Sequence, residues 1–265
     1  MCSLSKSTID ADNLRGQLRD NSVRVIDVRR AEDYKKDHIP KSVNLPLADL
    51  LADDSPEKVH KIAQNLRIDD QTPVVVYDDT FGALASRVAW TLQYLGHADV
   101  SLLDTTYSQW KSLGLETDAN ETSVTPKTHS VNLHPEILAT ADYLEKVKDG
   151  KNVVLIDNRE RLNYLEQHIP GAVNIPYRTL GSEERILKPR DDLKRLLKNR
   201  NIPEDAEIIT YCGSVGTLSG LAYYALKSAD YTNVKLYVRS FKEWKGLNKP
   251  IVKQENADYW DLSAE

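Results

Sequence analysis

The stretch VRVIDVRRAEDYKKDHIPKSVNLP at residues 23–46 returns at residues 153–176 as VVLIDNRERLNYLEQHIPGAVNIP. The two stretches share an Asp-x-Arg pair, the tripeptide His-Ile-Pro and an Asn-x-Pro ending, all at one offset. Two further blocks recur in the same order, residues 73–96 as 207–230 and residues 100–110 as 234–244. A repeat of this length and order predicts a chain built from two copies of one structural unit.

Short apolar runs alternate with helical patterns in both copies. The runs VRVIDV, PVVVY and VSLL in the first copy, and VVLID, EIITY and VKLYV in the second, are typical of strands buried on both faces. Strands that alternate with helices indicate right-handed crossovers and a parallel sheet. The predicted fold class is α/β, with two tandem domains, each a mostly parallel sheet flanked by helices. The predicted domains are residues 1–120 and 132–265, joined by a polar linker at 121–131.

The composition argues against several kinds of binding partner for this protein. The 265 residues carry 35 basic and 40 acidic side chains, a formal charge of −5, which is not the basic footprint of a nucleic-acid binder. The apolar runs are too short to span a bilayer, and the N-terminus lacks the apolar core of a signal peptide. Two cysteines, without a closely spaced Cys/His set, predict neither a disulfide scaffold nor a metal site. We expect a cytoplasmic protein with no membrane or nucleic-acid partner.

Cys212 is the candidate catalytic residue. It directly follows the strand EIITY and opens the loop CGSVGT, which leads into a helix. Unpaired N–H groups and the helix dipole at such a turn favour an anion, and therefore a reactive thiolate. The predicted loop residues around the sulfur are Gly213, Ser214, Val215, Gly216 and Thr217, with Thr217 also a candidate helix N-cap. Cys2 is predicted to be an incidental thiol in a frayed terminus.

The repeat provides an internal comparison for this cysteine. The first copy has Asp78 at the position of Cys212, in the sequence YDDTFGAL. A carboxylate cannot act as a sulfur nucleophile, so only the second copy is expected to be catalytic.

Together these motifs resemble the two-domain rhodanese family of thiosulfate and 3-mercaptopyruvate sulfurtransferases. The resemblance covers nearly the whole chain and includes the paired Asp-x-Arg and His-Ile-Pro motifs, the six-residue loop and an aromatic-x-x-Trp ending in each half. It implies an inactive first domain and a Cys212 persulfide formed from a small anionic sulfur donor. Cyanide or a thiol would accept the sulfur, without any metal or organic cofactor. The protein is expected to be a monomer or a weak dimer.

Four arginines are candidates for binding the donor: Arg159, Arg161, Arg178 and Arg239. Arg159 follows a strand end on the same side as Cys212, and a guanidinium can hold a carboxylate or sulfonate through two hydrogen bonds. The alternative for Arg159 is a structural pair with Asp157 or Glu160, because Arg29 recurs in the first copy. Arg239 is equally compatible with a solvated surface position. His38 and His168 are expected to hydrogen-bond a turn rather than to catalyse.

Several alternatives stay open at this level. Gly213-Ser214 matches the pattern of mercaptopyruvate-preferring members, but the order Val215-Gly216 departs from the usual loop, so the preferred donor is not fixed. A non-enzymatic sulfur carrier or partner-binding module is the main alternative function. A cysteine-dependent phosphatase fits less well. It would need an arginine six residues after the cysteine, where this chain has Leu218.

Overall fold

The computed structural model describes residues 7–123, 125 and 127–253, which separate into two compact units. Unit 1 comprises the described residues up to Pro135 together with Glu183–Leu187. Unit 2 comprises Glu136–Ser182 and the described residues from Lys188 onward. Cys2 lies outside the described residues. The domain boundaries predicted from the sequence stay a prediction.

Unit 1 is built on a sheet of five strands that pair in parallel, in the order β1-β5-β4-β2-β3. The strands are β1 (Thr8–Ile9), β2 (Arg24–Asp27), β3 (Val43–Asn44), β4 (Val74–Tyr77) and β5 (Val100–Leu103). The helices are α1 (Ala11–Arg19), α2 (Ala31–Tyr34), α3 (Leu47–Ala52), α4 (Pro56–Asn65), α5 (Ala83–Leu95) and α6 (Tyr107–Ser112).

Unit 2 repeats this plan with four parallel strands in the order β7-β6-β8-β9. The strands are β6 (Val153–Asp157), β7 (Val173–Asn174), β8 (Glu207–Tyr211) and β9 (Val234–Leu236). The helices are α7 (Ala141–Val147), α8 (Arg161–Glu166), α9 (Arg190–Asn199), α10 (Thr217–Ser228) and α11 (Ser240–Gly246), with 3-10 turns at Pro135–Ile137 and Tyr177–Leu180. The α/β class and the parallel sheets predicted from the sequence are confirmed.

The apolar runs form the central strands because both faces of each sheet are covered. All four residues of β2, β4 and β5 are buried, and helix α10 is buried along most of its length. The edge strands β3 and β7 have only two residues each, too few for a periodic pattern, and were not predicted. Since all strands of a unit point the same way, their carboxyl ends meet at one edge of its sheet.

The two His-Ile-Pro motifs have the same surroundings in both units. His38 Nδ1 lies 2.7 Å from the Tyr34 carbonyl oxygen, and its ring stacks on Tyr34 at a centroid distance of 3.8 Å. His168 makes the same two contacts with Tyr164, at 2.7 Å and 3.9 Å. Both histidines stabilise a turn, as the sequence indicated.

The stretch predicted as a linker is closely associated with unit 1. The Lys127 amide donates to the Gln64 carbonyl at 3.2 Å, and the Ser130 amide donates to the Asp70 carboxylate at 2.7 Å. The polar residues that indicated a linker here form hydrogen bonds to the surface of unit 1. Among the described residues, no helix combines the length and the apolar character that crossing a membrane requires.

Buried histidines of unit 1 predict a stability that depends on pH. His97 and His129 are each only 3% exposed, and their ring centroids lie 5.7 Å apart. Burial lowers the pKa of His97, and burial together with the charge of His97 lowers the pKa of His129. Both pKa values lie below the ordinary value of 6.5 that applies in the unfolded chain. The unfolded state therefore binds protons first, so the stabilisation is full above pH 6.5 and is lost as the pH falls below it.

We expect the urea concentration at half-unfolding to decrease between about pH 7.5 and 5.5. His97→Gln should reduce this pH dependence, because an amide can replace the Nε2 hydrogen bond to the Thr72 carbonyl without titrating. His134→Gln, at a partly exposed histidine, is the control and should leave the slope unchanged. An unchanged slope in His97→Gln would contradict the prediction.

Candidate active site

Cys212 occupies the position expected from the sequence, directly after β8 and at the start of the loop that leads into α10. The cysteine is 2% exposed, whereas Gly213 is exposed and Ser214, Val215 and Thr217 are half-buried. The thiol therefore lies beneath a partly exposed loop. Gly216, the N-cap of α10, has a φ of 75°, a left-handed conformation that glycine adopts without a steric penalty.

The order Val215-Gly216 has a structural explanation in the repeat. Phe81 and Gly82 precede α5 in the same order, and Gly82 has a φ of 80°. Both copies thus place the glycine at the left-handed residue directly before the helix.

A serine missed by the sequence analysis contacts the cysteine. The Cys212 amide donates to Ser240 Oγ at 3.1 Å, and Cys212 Sγ lies 3.7 Å from the same oxygen. Ser240 Oγ in turn donates to the Tyr237 carbonyl at 2.9 Å. Ser240 is fully buried and has a φ of 56°, a conformation that non-glycine residues adopt at a cost. The sulfur therefore has a polar neighbour. The repeat contained the signal, since Ser240 aligns with Thr106 in the shared aromatic-x-x-Trp block.

The hydrogen bonds of Asp78 show how the loop of unit 1 binds a carboxylate. Its Oδ1 accepts from the amides of Thr80 and Gly82 at 2.9 and 2.8 Å, and its Oδ2 accepts from those of Leu84 and Ala85 at 2.7 and 3.0 Å. Burial raises the pKa of Asp78, and these four amides oppose the rise. Both oxygens accept and neither donates, which is the pattern of an ionised carboxylate. The loop of unit 1 is a backbone anion site occupied by its own side chain.

Four amides of unit 2 stand at the positions that correspond to these donors. They belong to Ser214, Gly216, Leu218 and Ser219, at the same spacing from the cysteine. None of the four donates a hydrogen bond to another residue that the structure describes. The two loops share one backbone contact with the helix that follows the next strand. The Tyr107 amide donates to the Asp78 carbonyl at 2.9 Å, and the Phe241 amide donates to the Cys212 carbonyl at 3.1 Å. The loop of unit 2 therefore has a thiol at the position where the loop of unit 1 has a carboxylate.

Arg159 forms a buried structural pair. Its Nη2 donates to Asp157 Oδ2 and to the Gln167 carbonyl, each at 2.6 Å, and its guanidinium carbon lies 4.2 Å from the centre of the Phe241 ring. Burial acts to lower the pKa of Arg159, but hydrogen bonds and charge from Asp157 outweigh it and raise that pKa. Arg29 pairs with Asp27 in the same way in unit 1, which has no cysteine in its loop. These contacts favour the structural alternative, and binding of the donor by Arg159 stays a prediction.

The other three arginines also follow carboxyl ends of strands. Arg161 begins α8 after β6 and is half-buried, and Arg239 follows β9 and is exposed directly before Ser240. Arg178 follows β7, is exposed, and donates from Nε to the Glu160 carboxylate at 2.6 Å. Fold topology thus brings all four arginines and Cys212 to one edge of the sheet. Their roles in binding stay predictions. No group of three or more His, Cys, Asp or Glu side chains within the described ranges is arranged to hold a metal ion.

Both loops are expected to be stabilised by a carboxylate at their first position. Cys212→Asp should unfold at a higher temperature than Cys212→Ala, because the new carboxylate can accept from the four amides as Asp78 does. Asp78→Ala should lose about 1–3 kcal/mol, because it leaves buried donors without an acceptor. Thermal unfolding of the three variants and the unsubstituted protein measures both effects. A Cys212→Asp protein less stable than Cys212→Ala would show that the second loop is not an anion cradle.

Known proteins share this architecture. The model of the rhodanese-like domain matches the chain twice, at residues 10–113 and 140–247. A probable 3-mercaptopyruvate sulfurtransferase of Pseudomonas aeruginosa is 31% identical over 91% of this chain and 95% of its own length. The sulfur carrier protein TtuD of Thermus thermophilus is 28% identical over 93% of this chain and 96% of its own length.

A solved structure has the same fold. SseA from Escherichia coli, described as a 3-mercaptopyruvate sulfotransferase with the rhodanese fold, superimposes with a TM-score of 0.80 at 24% identity. The match covers 89% of this chain and 99% of SseA. Since the family model matches both units and their sheets follow one plan, the chain belongs to the rhodanese family and contains two copies of its domain.

Proposed function

We propose that this protein is a sulfurtransferase in which Cys212 accepts a sulfane sulfur, carries it as a persulfide and passes it to cyanide or a thiol. The observation that carries the proposal is the loop that begins at Cys212. Its counterpart in unit 1 binds the Asp78 carboxylate through four hydrogen bonds.

Asp78 also indicates which species the loop fits. Its carboxylate oxygens lie two bonds beyond Cβ, and the terminal sulfur of a cysteine persulfide also lies two bonds beyond Cβ. Because an S–S bond is about 2.05 Å long, the terminal sulfur would reach slightly further than a carboxylate oxygen. A loop that donates to Asp78 at 2.7–3.0 Å therefore has its donors where a persulfide anion would need them.

The proposed reaction proceeds in two transfers. The Cys212 thiolate attacks the outer sulfur of the donor, a new S–S bond forms, and the donor's bond to that sulfur breaks. Thiosulfate then leaves as sulfite. 3-Mercaptopyruvate leaves as pyruvate. The proton of the donor thiol moves to the carbon that lost the sulfur, which becomes the methyl group. An acceptor next attacks the terminal sulfur and regenerates the thiolate, so the covalent intermediate divides one difficult transfer into two easier ones.

Ser240 would assist through its hydroxyl. Its proton points to the Tyr237 carbonyl, and its oxygen lies 3.7 Å from Cys212 Sγ. A hydroxyl rotates at little cost, so it can donate to the sulfur when the sulfur carries negative charge. Arg161, Arg178 and Arg239 are the proposed contacts for an anionic donor, because they surround the same edge of the sheet. The sequence Gly213-Ser214 favours 3-mercaptopyruvate over thiosulfate.

A sulfur carrier is the second candidate function. It is favoured by the match to TtuD, a protein named as a sulfur carrier, along almost the whole length of both chains. A carrier would form the persulfide but release its sulfur slowly to small acceptors. A phosphatase is disfavoured by Leu218, which stands where an arginine would have to neutralise the phosphate.

Removal of the sulfur nucleophile should abolish the reaction. Cys212→Ser should lose at least about a thousandfold in kcat/KM with either donor and cyanide, because no other described group can form the persulfide. Cys2→Ser is the matched control and should retain activity. After exposure to donor, mass spectrometry should find one added sulfur atom on the peptide that contains Cys212. Persulfide formation without turnover would select the carrier, and equal inactivity of all three proteins without a persulfide would reject both functions.

The hydroxyl of Ser240 should accelerate persulfide formation. Ser240→Ala is expected to slow the single-turnover rate about tenfold, the effect of one hydrogen bond, while KM for the donor changes little. Ser240→Gly also removes the hydroxyl, but glycine adopts the left-handed conformation without strain. Comparing it with Ser240→Ala therefore distinguishes the effect of the hydroxyl from the effect of the backbone conformation. Similar losses in both variants would assign the effect to the hydroxyl. Full activity in both would show that Ser240 serves only the fold.

A further inference from the structure

A basic cleft lies on unit 1 at the amino edge of its sheet, opposite to the edge that carries Asp78. The cleft has a volume of about 480 Å³, and its charged lining residues are Arg24, Lys41, Arg67 and Lys127. Its other lining residues are uncharged. Asp69 forms an ion pair with Lys127, and Lys41 Nζ donates to neutral oxygens of Leu18 and Asn21. The cleft therefore retains a surplus of positive charge.

Arg24 is the most unusual member of this group. It is only 7% exposed, and its Nη1 donates to the Lys41 carbonyl at 3.4 Å. Its Nε is buried and has no hydrogen-bond partner among the described residues. Burial, and then the neighbouring charge of Arg67, lower the pKa of Arg24. A buried cation beside another cation is costly unless an anion joins them.

The second copy shows that the fold does not need these cations. Arg24 pairs with Val74 in the sheet, and Val154 pairs with Ile208 at the equivalent register. Valine is therefore sufficient at the strand position of Arg24.

Lys41 and Arg67, two other basic residues of the cleft, have a left-handed backbone conformation. Lys41 has a φ of 63°, and its equivalent is Gly171 with a φ of 78°. Arg67 has a φ of 60°, and its equivalent is Asn201 with a φ of 54°. Glycine and asparagine are the residues that adopt this conformation most readily. Unit 1 thus carries long basic side chains at backbone positions that disfavour them, and all of them line one cleft.

We propose that this cleft binds the dianionic phosphoryl group of a small phosphorylated molecule. Guanidinium groups match the oxygens of such a group through paired hydrogen bonds, and Arg24 has a buried donor available. The cleft is larger than a phosphate ion requires, which leaves room for an organic substituent. The site is separate from the cysteine loop, and the proposal does not depend on sulfur transfer.

Titration calorimetry of the full chain with inorganic phosphate and with glycerol 3-phosphate tests this proposal. We expect saturable binding of both, with the ester binding more tightly if the remaining volume is used. Each ligand should also raise the temperature of unfolding. Sodium chloride at the same ionic strength is the comparison for general screening. If chloride raises the unfolding temperature as much as phosphate does, no specific site exists and the proposal is overturned.

Variants built from the second copy identify the site. Arg24→Val combined with Arg67→Asn should weaken phosphate binding by at least about tenfold, the loss expected from two charged hydrogen-bonding groups. The variant should unfold at no lower temperature than the unsubstituted protein, because unit 2 accepts both residues. Lys35→Asn combined with Lys61→Asn removes the same charge at exposed positions outside the cleft and should bind normally.

Arg67→Asn alone changes an exposed side chain and keeps the test available if the double variant does not fold. Weaker binding in this variant but not in the lysine control supports the proposal. Unchanged phosphate affinity, with or without a loss of stability, would assign the arginines a structural role and overturn it.

Discussion

Backbone N–H groups that converge on one side chain are the constraint on which the rest of this protein depends. In unit 1, amides of the loop after residue 77 and of the first turn of the next helix are directed at the first residue of the loop. The strand that ends at residue 211 is followed by an equivalent loop and helix. In unit 1 that residue is Asp78, whose two oxygens take up four amides. In unit 2 it is Cys212, and the amides at the equivalent positions are the proposed donors for charge that develops on sulfur during a reaction.

The duplication separates what the fold requires from what the chemistry requires. Both units bury an Asp-Arg pair at the end of a central strand and stack a histidine on a tyrosine in the following turn. Features present in both copies serve the shared architecture, because only one copy carries a cysteine in this loop. Features confined to one copy, such as Cys212 with Ser240 or the basic cleft around Arg24, require an explanation of their own.

The two copies have therefore diverged at opposite edges of the same sheet plan. Unit 2 places its distinctive groups at the carboxyl edge, where the loops between strands and helices provide amide donors and a nucleophile. Unit 1 fills that loop with its own carboxylate and places its distinctive groups at the amino edge, where long cations replace valine, glycine and asparagine. A carboxylate held by four amides cannot react as a sulfur nucleophile, so a ligand site on unit 1 has to be formed elsewhere.

The sequence by itself determined the two-copy α/β plan, the parallel pairing of the central strands and the location of Cys212 after a strand, because these depend on local periodicity and on alignment within the chain. It left open whether Arg159 pairs with Asp157 or binds a donor, and it could not predict that Ser240 contacts Cys212, because that pair meets only when segments 28 residues apart pack together. The two-residue strands, and the convergence of Arg24, Lys41 and Arg67 on one cleft, also required the tertiary structure. Local pattern decides which elements form, whereas the pairing of side chains depends on which elements become neighbours.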